Sequence, residues 1–382
     1  MKTGKDSRRF IRGRTHRCIE PPGQVAQPNP LIAVWVFLRR VTIAADGLDD
    51  CSVSLLDQLP ESDFVKISRS TDFDHFRSIE SLGEARSIPL DCRDFAASFA
   101  ELRLKSCSIY LQQTFPRILQ SRYATTGAII GFTMNDEASL TLNGIAARAS
   151  DLLLVKGAGV CEIVEPRANL VGFINFDSVS ERGWPGEPDS AQMIATGPAR
   201  FEAVRSMTLE VLKLASHSPE VFSQPPVLDS IDESIQQAVD LAMAGATPAF
   251  DGKRTSLGHY LTLVRKFDEF LAANSGKTLY SAEVARQLGV SVRTLHNAVV
   301  AIRGMSMHRY TRLRRLWNVR QHLVRGAPAR SIKAVALVNG FWHMGEFAAL
   351  YREMFGETPQ QTLSATRGKS DRLVISPGDA AP

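Results

Sequence analysis

Apolar positions follow two different rhythms along this chain. From about residue 62 to 177 they come in short runs, at 64–67, 108–111, 128–132, 152–155, 161–164 and 170–176, separated by turn residues. Runs of this length read as strands, and many of them at close spacing predict a sandwich or barrel. Asn143-Gly144 between two runs predicts a tight hairpin, because both residues accept the positive φ that such a turn needs. Past the Gly- and Pro-containing stretch 181–188 the spacing changes to threes and fours. Phe201, Val204, Met207 (or Thr208) and Val211 share one helical face, and Val227, Ile231, Ile235, Val239 and Met243 share another. Helices outside a barrel either pair with a second copy or cap the barrel of their own chain; pairing predicts a homodimer.

The helical rhythm then carries a repeat. Residues 244–256 read as an interdomain linker, and Leu257 opens a basic amphipathic helix with Tyr260, Leu261, Val264, Phe267 and Leu271 on its apolar face. In a first unit, Val284, Ala285 and Leu288 line a short helix that follows Ser281. Gly289 turns the chain, Ser291 caps a second helix, and Leu295, Ala298, Val299 and Ile302 face inward. In a second unit, Ser331 caps, Ile332, Val335 and Ala336 pack, and Gly340 turns. Phe341, Phe347, Leu350, Tyr351 and Met354 then fill the interior. These are two helix-turn-helix units in tandem.

The helix between the units, about residues 306–324, places Tyr310, Leu313, Trp317 and Leu323 inside. Arg309, Arg312, Arg314, Arg315 and Arg320 flank them. Its length is roughly 28 Å, against roughly 34 Å between successive major grooves on one face of a duplex. Two second helices held this way reach adjacent grooves. The partner the pattern implies is therefore double-stranded DNA. Ser291, Arg293, Thr294, His296 and Asn297 are donors and acceptors near the start of the first reading helix, where base edges are reached. Trp342, His343, Met344 and Arg352 occupy the matching face of the second, with Ala348 and Ala349 between them. That face is poorer in hydrogen-bonding groups, so the first unit is expected to read bases and the second to make phosphate and shape contacts. Arg312, Arg314 and Arg315 are expected to neutralise phosphates.

The stretch 257–363 resembles the carboxy-terminal domain of the AraC/XylS family of bacterial transcription regulators. The most specific part is Gly340-Phe341-Trp342-His343 followed by Phe347, Tyr351 and Phe355-Gly356-Glu357-Thr358-Pro359. The Trp342-His343 variant is similar to the subgroup that includes the ethanolamine-operon regulator. Ser291-Val-Arg-Thr-Leu295 and Gly304-Met-Ser-Met with Tyr310 fit as well. The sequence departs from the pattern at Ala349, where many members have Arg, and at Val299, where many have an aromatic residue. The resemblance implies a small-molecule effector and a cupin-like β-barrel sensor upstream. It implies a bacterial, cytoplasmic, nucleoid-associated protein and, for an activator, contact with RNA polymerase. The fold class expected is thus α+β: a cupin-like barrel with flanking helices, then an all-α domain of two helix-turn-helix units. The divisions expected are a basic, Pro-containing disordered arm at 1–60, the sensor at 61–180 and a helical dimerisation or linker region at 181–250. The DNA-binding domain at 257–363 and a disordered tail at 364–382 complete them.

Composition narrows the alternatives. A chain of 382 residues with 44% apolar content is globular and holds two or three domains. The net charge of +5 is modest, so the clustering of Arg at 286–330 matters more than the total. Five scattered Cys without a Cys-x-x-Cys read as reduced thiols. The longest apolar run, 31–38, is far short of the roughly 20 residues a membrane span needs. In the strand-rich segment only His75 is available, and no His follows until after residue 214, which argues against an imidazole-held metal there; no cofactor is expected. Asp151, Glu162 and Glu165 read as surface or turn residues. An enzyme fused to a DNA-binding module is the alternative of another class. An alkyl-transfer protein would need a low-pKa Cys, and neither Cys51 nor Cys92 has an adjacent His. A third alternative is a DNA-binding protein whose barrel only dimerises.

Overall fold

The computed structural model describes residues 55–76, 84–135, 139–178, 182–249, 254–274, 280–325 and 331–374. The basic arm lies outside the described residues up to residue 54. Its expected end at residue 60 comes too late, because Leu56 and Leu59 are already buried in the core.

The strands are β1 (Val65–Ser70), β2 (Glu84–Pro89), β3 (Ala97–Arg103), β4 (Cys107–Gln113), β5 (Arg117–Thr133), β6 (Thr141–Leu142), β7 (Ile145–Ala146), β8 (Asp151–Glu165), β9 (Leu170–Phe176), β10 (Ser190–Ala195) and β11 (Thr247–Pro248). They pair antiparallel in the order β1-β3-β4-β9-β5-β8-β10-β11. The path does not return on itself, so the sheet is open and the closed barrel expected from the strand spacing is not what forms. Within it, β5 changes partners along its length. Its first part pairs with β2 and β8, and after a slip between Ala124 and Ala128 its second part pairs with β8 and β9. Gly127 sits at the slip. A Cβ there would stand 1.7 Å from the Phe176 carbonyl oxygen, so only glycine allows the strands to approach.

Three helices follow β10: α1 (Pro198–His217), α2 (Pro219–Phe222) and α3 (Pro225–Met243). Each begins with proline, whose fixed φ suits a first helical turn. Their apolar stripes are buried against the sheet. Phe201, Val204, Val211, Ile231, Ile235 and Val239 share one core with Ile109, Leu111, Ile130, Ile174 and Phe176. Burial of each such side chain is worth about 1.5–3 kcal/mol. The stripe expected to be free for pairing between subunits is therefore used inside the chain.

The carboxy-terminal helices are α4 (Arg254–Ala273), α5 (Ser281–Gln287), α6 (Val292–Arg303), α7 (Met307–Val324), α8 (Ile332–Val338), α9 (Met344–Phe355) and α10 (Pro359–Val374). The side-chain oxygens of Ser291, Ser306 and Ser331 accept from Thr294 N–H, Arg309 N–H and Ala334 N–H, and so cap α6, α7 and α8. Each such cap is worth about 1 kcal/mol. Ser281 differs from the expectation: it lies one residue inside α5, and Tyr280 precedes the helix without a side-chain cap. The tail expected to be irregular from residue 364 continues as helix to Val374.

The two parts share a core. Ile88, Ile118 and Val164 of the sheet pack with Trp317, Val319 and Phe355. Trp317 Nε1 donates to the Pro89 carbonyl at 3.1 Å, and its ring lies 4.7 Å from that of Phe73. Arg320 binds Asp74 and Glu357 at 2.8 and 2.7 Å. Cys92 N–H donates to the Met354 carbonyl at 2.9 Å.

Candidate nucleic-acid interface

The face of α6 separates cleanly. Leu295, Ala298, Val299 and Ile302 are buried, whereas Ser291, Arg293, His296, Asn297 and Val300 are exposed. Arg293, His296, Asn297 and Val300 stand at i, i+3, i+4 and i+7, so they form one stripe along the helix. Among the described residues the side chains of Arg293, His296 and Asn297 have no hydrogen-bond or ion-pair partner. Thr294 is half-buried and its hydroxyl meets that of Ser291 at 2.8 Å, so both belong to the cap as much as to the face.

The start of α9 presents a different surface. Trp342 is 66% exposed, His343 precedes the helix without capping it, and Met344 is half-buried. Arg352 is exposed on the same helix, with Ala349 beside it. Arg312 and Arg315 of α7 border a cleft of about 270 Å³ between the two units, together with His308, Trp342 and His343. Arg315 packs over Gly340, where a Cβ would stand 3.2 Å from its Nη1 and where φ is +79°. Position 340 therefore needs glycine twice, for its backbone and for its neighbour. Burial pulls the pKa of Arg315 down, and no carboxylate opposes it.

Arg314 departs from the expectation. It is 7% exposed and borders a separate cavity with Phe73, Asp74, Arg86 and Trp317. It faces the sheet, not the cleft, and no phosphate reaches it in this arrangement. The cause is that α7 is enclosed from two sides, by the helix-turn-helix units and by the sheet. Arg320, flanking the same helix, is likewise committed to Asp74 and Glu357.

Arg303, at the end of α6, is the residue that sequence reasoning missed. It is fully buried, in ion pairs with Glu162 of β8 and Asp268 of α4, and it lies over the Tyr310 ring at 5.0 Å. Gln120 Nε2 donates to Asp268 Oδ2 at 2.8 Å, and the Tyr310 hydroxyl donates to Oδ1. Its spacing four residues after Val299 was the available signal. Burial works against the charge of Arg303, but Tyr310, Asp268 and Glu162 outweigh it and keep the guanidinium protonated. Burial likewise pushes Glu162 up to about 7, against the opposing pull of Arg303. Glu162, Glu165 and Asp151 are all buried, the first two inside ion pairs, so their reading as surface or turn residues is corrected. Among the cysteines, burial pushes the thiols of Cys92, Cys107 and Cys161 up to about 12. None of the three offers the thiolate that an alkyl-transfer reading needs; Cys18 and Cys51 lie outside the described residues.

Residues 284–365 match the family described as "Helix-turn-helix domain". The chain is also 34% identical to a probable AraC family transcriptional regulator from Rhodopseudomonas palustris, covering 97% of that chain and 28% of this one, with a TM-score of 0.26. The carboxy-terminal domain belongs to the AraC family of helix-turn-helix domains. The curated relatives agree in extent. A probable thc operon regulatory protein of Rhodococcus erythropolis is 34% identical over 102 residues, 26% of this chain and 31% of that protein. A XylDLEGF operon transcriptional activator of Pseudomonas putida is 35% identical over 96 residues, 25% of this chain and 30% of that protein. The chain thus spans under a third of the length of these relatives.

Proposed function

We propose that the chain is a sequence-specific regulator of transcription that sets α6 and α9 in adjacent major grooves of one duplex. The observation that carries this reading is the open stripe of α6. Arg293, His296 and Asn297 are exposed, without a partner among the described residues, and aligned, and they stand on a helix whose other face is fixed by four buried apolar residues and Arg303. Arg293 suits a guanine edge and Asn297 an adenine edge. Arg312, Arg315 and Arg352 serve as phosphate contacts, with Trp342, His343 and Met344 fixing the second unit against the backbone. Arg314 is left out, on its burial.

The same reading includes a small-molecule effector and a bacterial cytoplasmic setting. Activation through contact with RNA polymerase draws support from the name of the XylDLEGF relative. The likeness to the ethanolamine-operon subgroup rests on Trp342-His343 alone. The reading also includes a homodimer, formed through surfaces other than the buried stripes of α1 and α3. A binding-site selection with the full chain, followed by anisotropy titration of the selected duplex, tests the proposal. A sequence preference that survives unchanged in both Arg293→Ala and Asn297→Ala would sink it.

A further inference from the structure

Seven residues of an α-helix make almost two full turns, so Val300 returns to the line of Arg293 on α6. It stands near the middle of the open face, with His296 to one side of that line and Asn297 to the other. Val300 is 42% exposed, and the inward face of the helix is filled without it by Leu295, Ala298, Val299 and Ile302. It is thus an apolar side chain set among three hydrogen-bonding ones. Val292 is nearly as exposed, but it opens the helix about 100° round from Arg293 and lies off the stripe.

The end of α6 that carries Val300 is held in place. Arg303 is buried in ion pairs with Glu162 and Asp268. The hairpin turn at Gly144 packs against the Ala301 carbonyl, where a Cβ would stand 2.6 Å from the oxygen. A β-branched side chain on a helix keeps one strongly preferred χ1 rotamer, so the Val300 methyls point in a defined direction. In a major groove the apolar group that projects from a base edge is the C5 methyl of thymine. Along the helix axis Val300 lies about 10 Å beyond Arg293 and about 4.5 Å beyond Asn297. Base pairs rise by about 3.4 Å, so these offsets correspond to about three base pairs and about one.

We propose that Val300 is a specificity-determining residue that reads a thymine by packing its methyls on the C5 methyl, about three base pairs from the base read by Arg293. This rests on the DNA-binding reading above and adds to it an apolar contact. The duplex for the test is the one selected by the full chain. Its first contacted segment is the one whose base preference shifts in Arg293→Ala and Asn297→Ala. Each thymine there is replaced in turn by deoxyuridine, which lacks only the methyl. Anisotropy titration is expected to show one replacement, beyond the Asn297 position, that weakens binding at least threefold. In Val300→Ala the thymine duplex binds more weakly, and the same replacement changes affinity less than 1.5-fold. In Val292→Ala, the same truncation at the other exposed valine of α6, the replacement keeps its threefold effect. A segment that selects no thymine, or in which no replacement reaches threefold, overturns the proposal. So does an effect of 1.5-fold or more that persists in Val300→Ala, or one that disappears in Val292→Ala. Shifted preferences in Arg293→Ala and Asn297→Ala with every deoxyuridine silent leave the DNA-binding reading standing and refute Val300 alone. A chain that selects no sequence refutes both.

Discussion

Trp317 and Pro89 are joined by a buried hydrogen bond of 3.1 Å, from the indole N–H on α7 to a carbonyl at the end of β2. It ties the helix between the two reading units to the sheet. Trp317→Phe keeps most of the ring and removes the donor, leaving the carbonyl without its partner. A loss of about 1–3 kcal/mol in unfolding free energy is expected, measured by denaturant titration. Affinity for a selected duplex should change little, because neither group reaches the open faces of α6 or α9.

Arginines of α7 should separate by position. Arg312→Ala and Arg315→Ala are each expected to weaken binding to all sequences and to lower the slope of log affinity against log salt by about 1. Arg314→Ala should leave that slope unchanged and lower stability instead, because the side chain is 7% exposed against the sheet. Equal slopes for Arg314→Ala and Arg315→Ala would remove the distinction drawn here.

On α6, Arg293→Ala and Asn297→Ala should each relax preference at one or two base pairs by about 1–3 kcal/mol while keeping non-specific affinity within a few-fold. Selection experiments on both variants check this position by position. His296→Ala is expected to have the same kind of effect on the base pair between them.

Glu162 sets a dependence on pH. Its pKa rises from the ordinary 4.5 to about 7 because burial disfavours the carboxylate. A carboxyl group with a raised pKa holds its proton more firmly in the folded chain. Its contribution to stability is then fully present below about 4.5 and fades as the pH climbs through about 7. The rise corresponds to on the order of 3 kcal/mol. Stability measured from pH 5 to 8 should therefore fall in the unaltered chain by more than in Glu162→Gln. Parallel profiles for the two would show that Glu162 does not titrate in this window.

The carboxy-terminal domain was legible because its signals are local. A serine cap, a short apolar stripe and a glycine turn lie within twenty residues of one another, and they recur. The sheet was less legible because pairing is decided at a distance. Within the run 117–133 the one local signal of a change of partners is Gly127, and it does not say which strands β5 will pair with. Arg314 was misplaced for a related reason. Helix α7 buries Leu316 and Val319 as well as Tyr310, Leu313 and Trp317, so its buried arc is wider than the stripe suggested. Arg303 could have been placed inward by its spacing from Val299, but its partner Glu162 lies 141 positions earlier and shares no local pattern with it.

Helix α7 separates the two reading units and also carries Trp317 and Arg320, by which Pro89 and Asp74 of the amino-terminal part hold it. A helix of 18 residues is about 27 Å long, so a tilt of about 10° carries one end through about 5 Å. That exceeds the rise of one base pair, about 3.4 Å. The operators this chain accepts should accordingly be sorted by the number of base pairs between their two contacted segments, and a substitution at the sheet contact should shift that number without touching a single base.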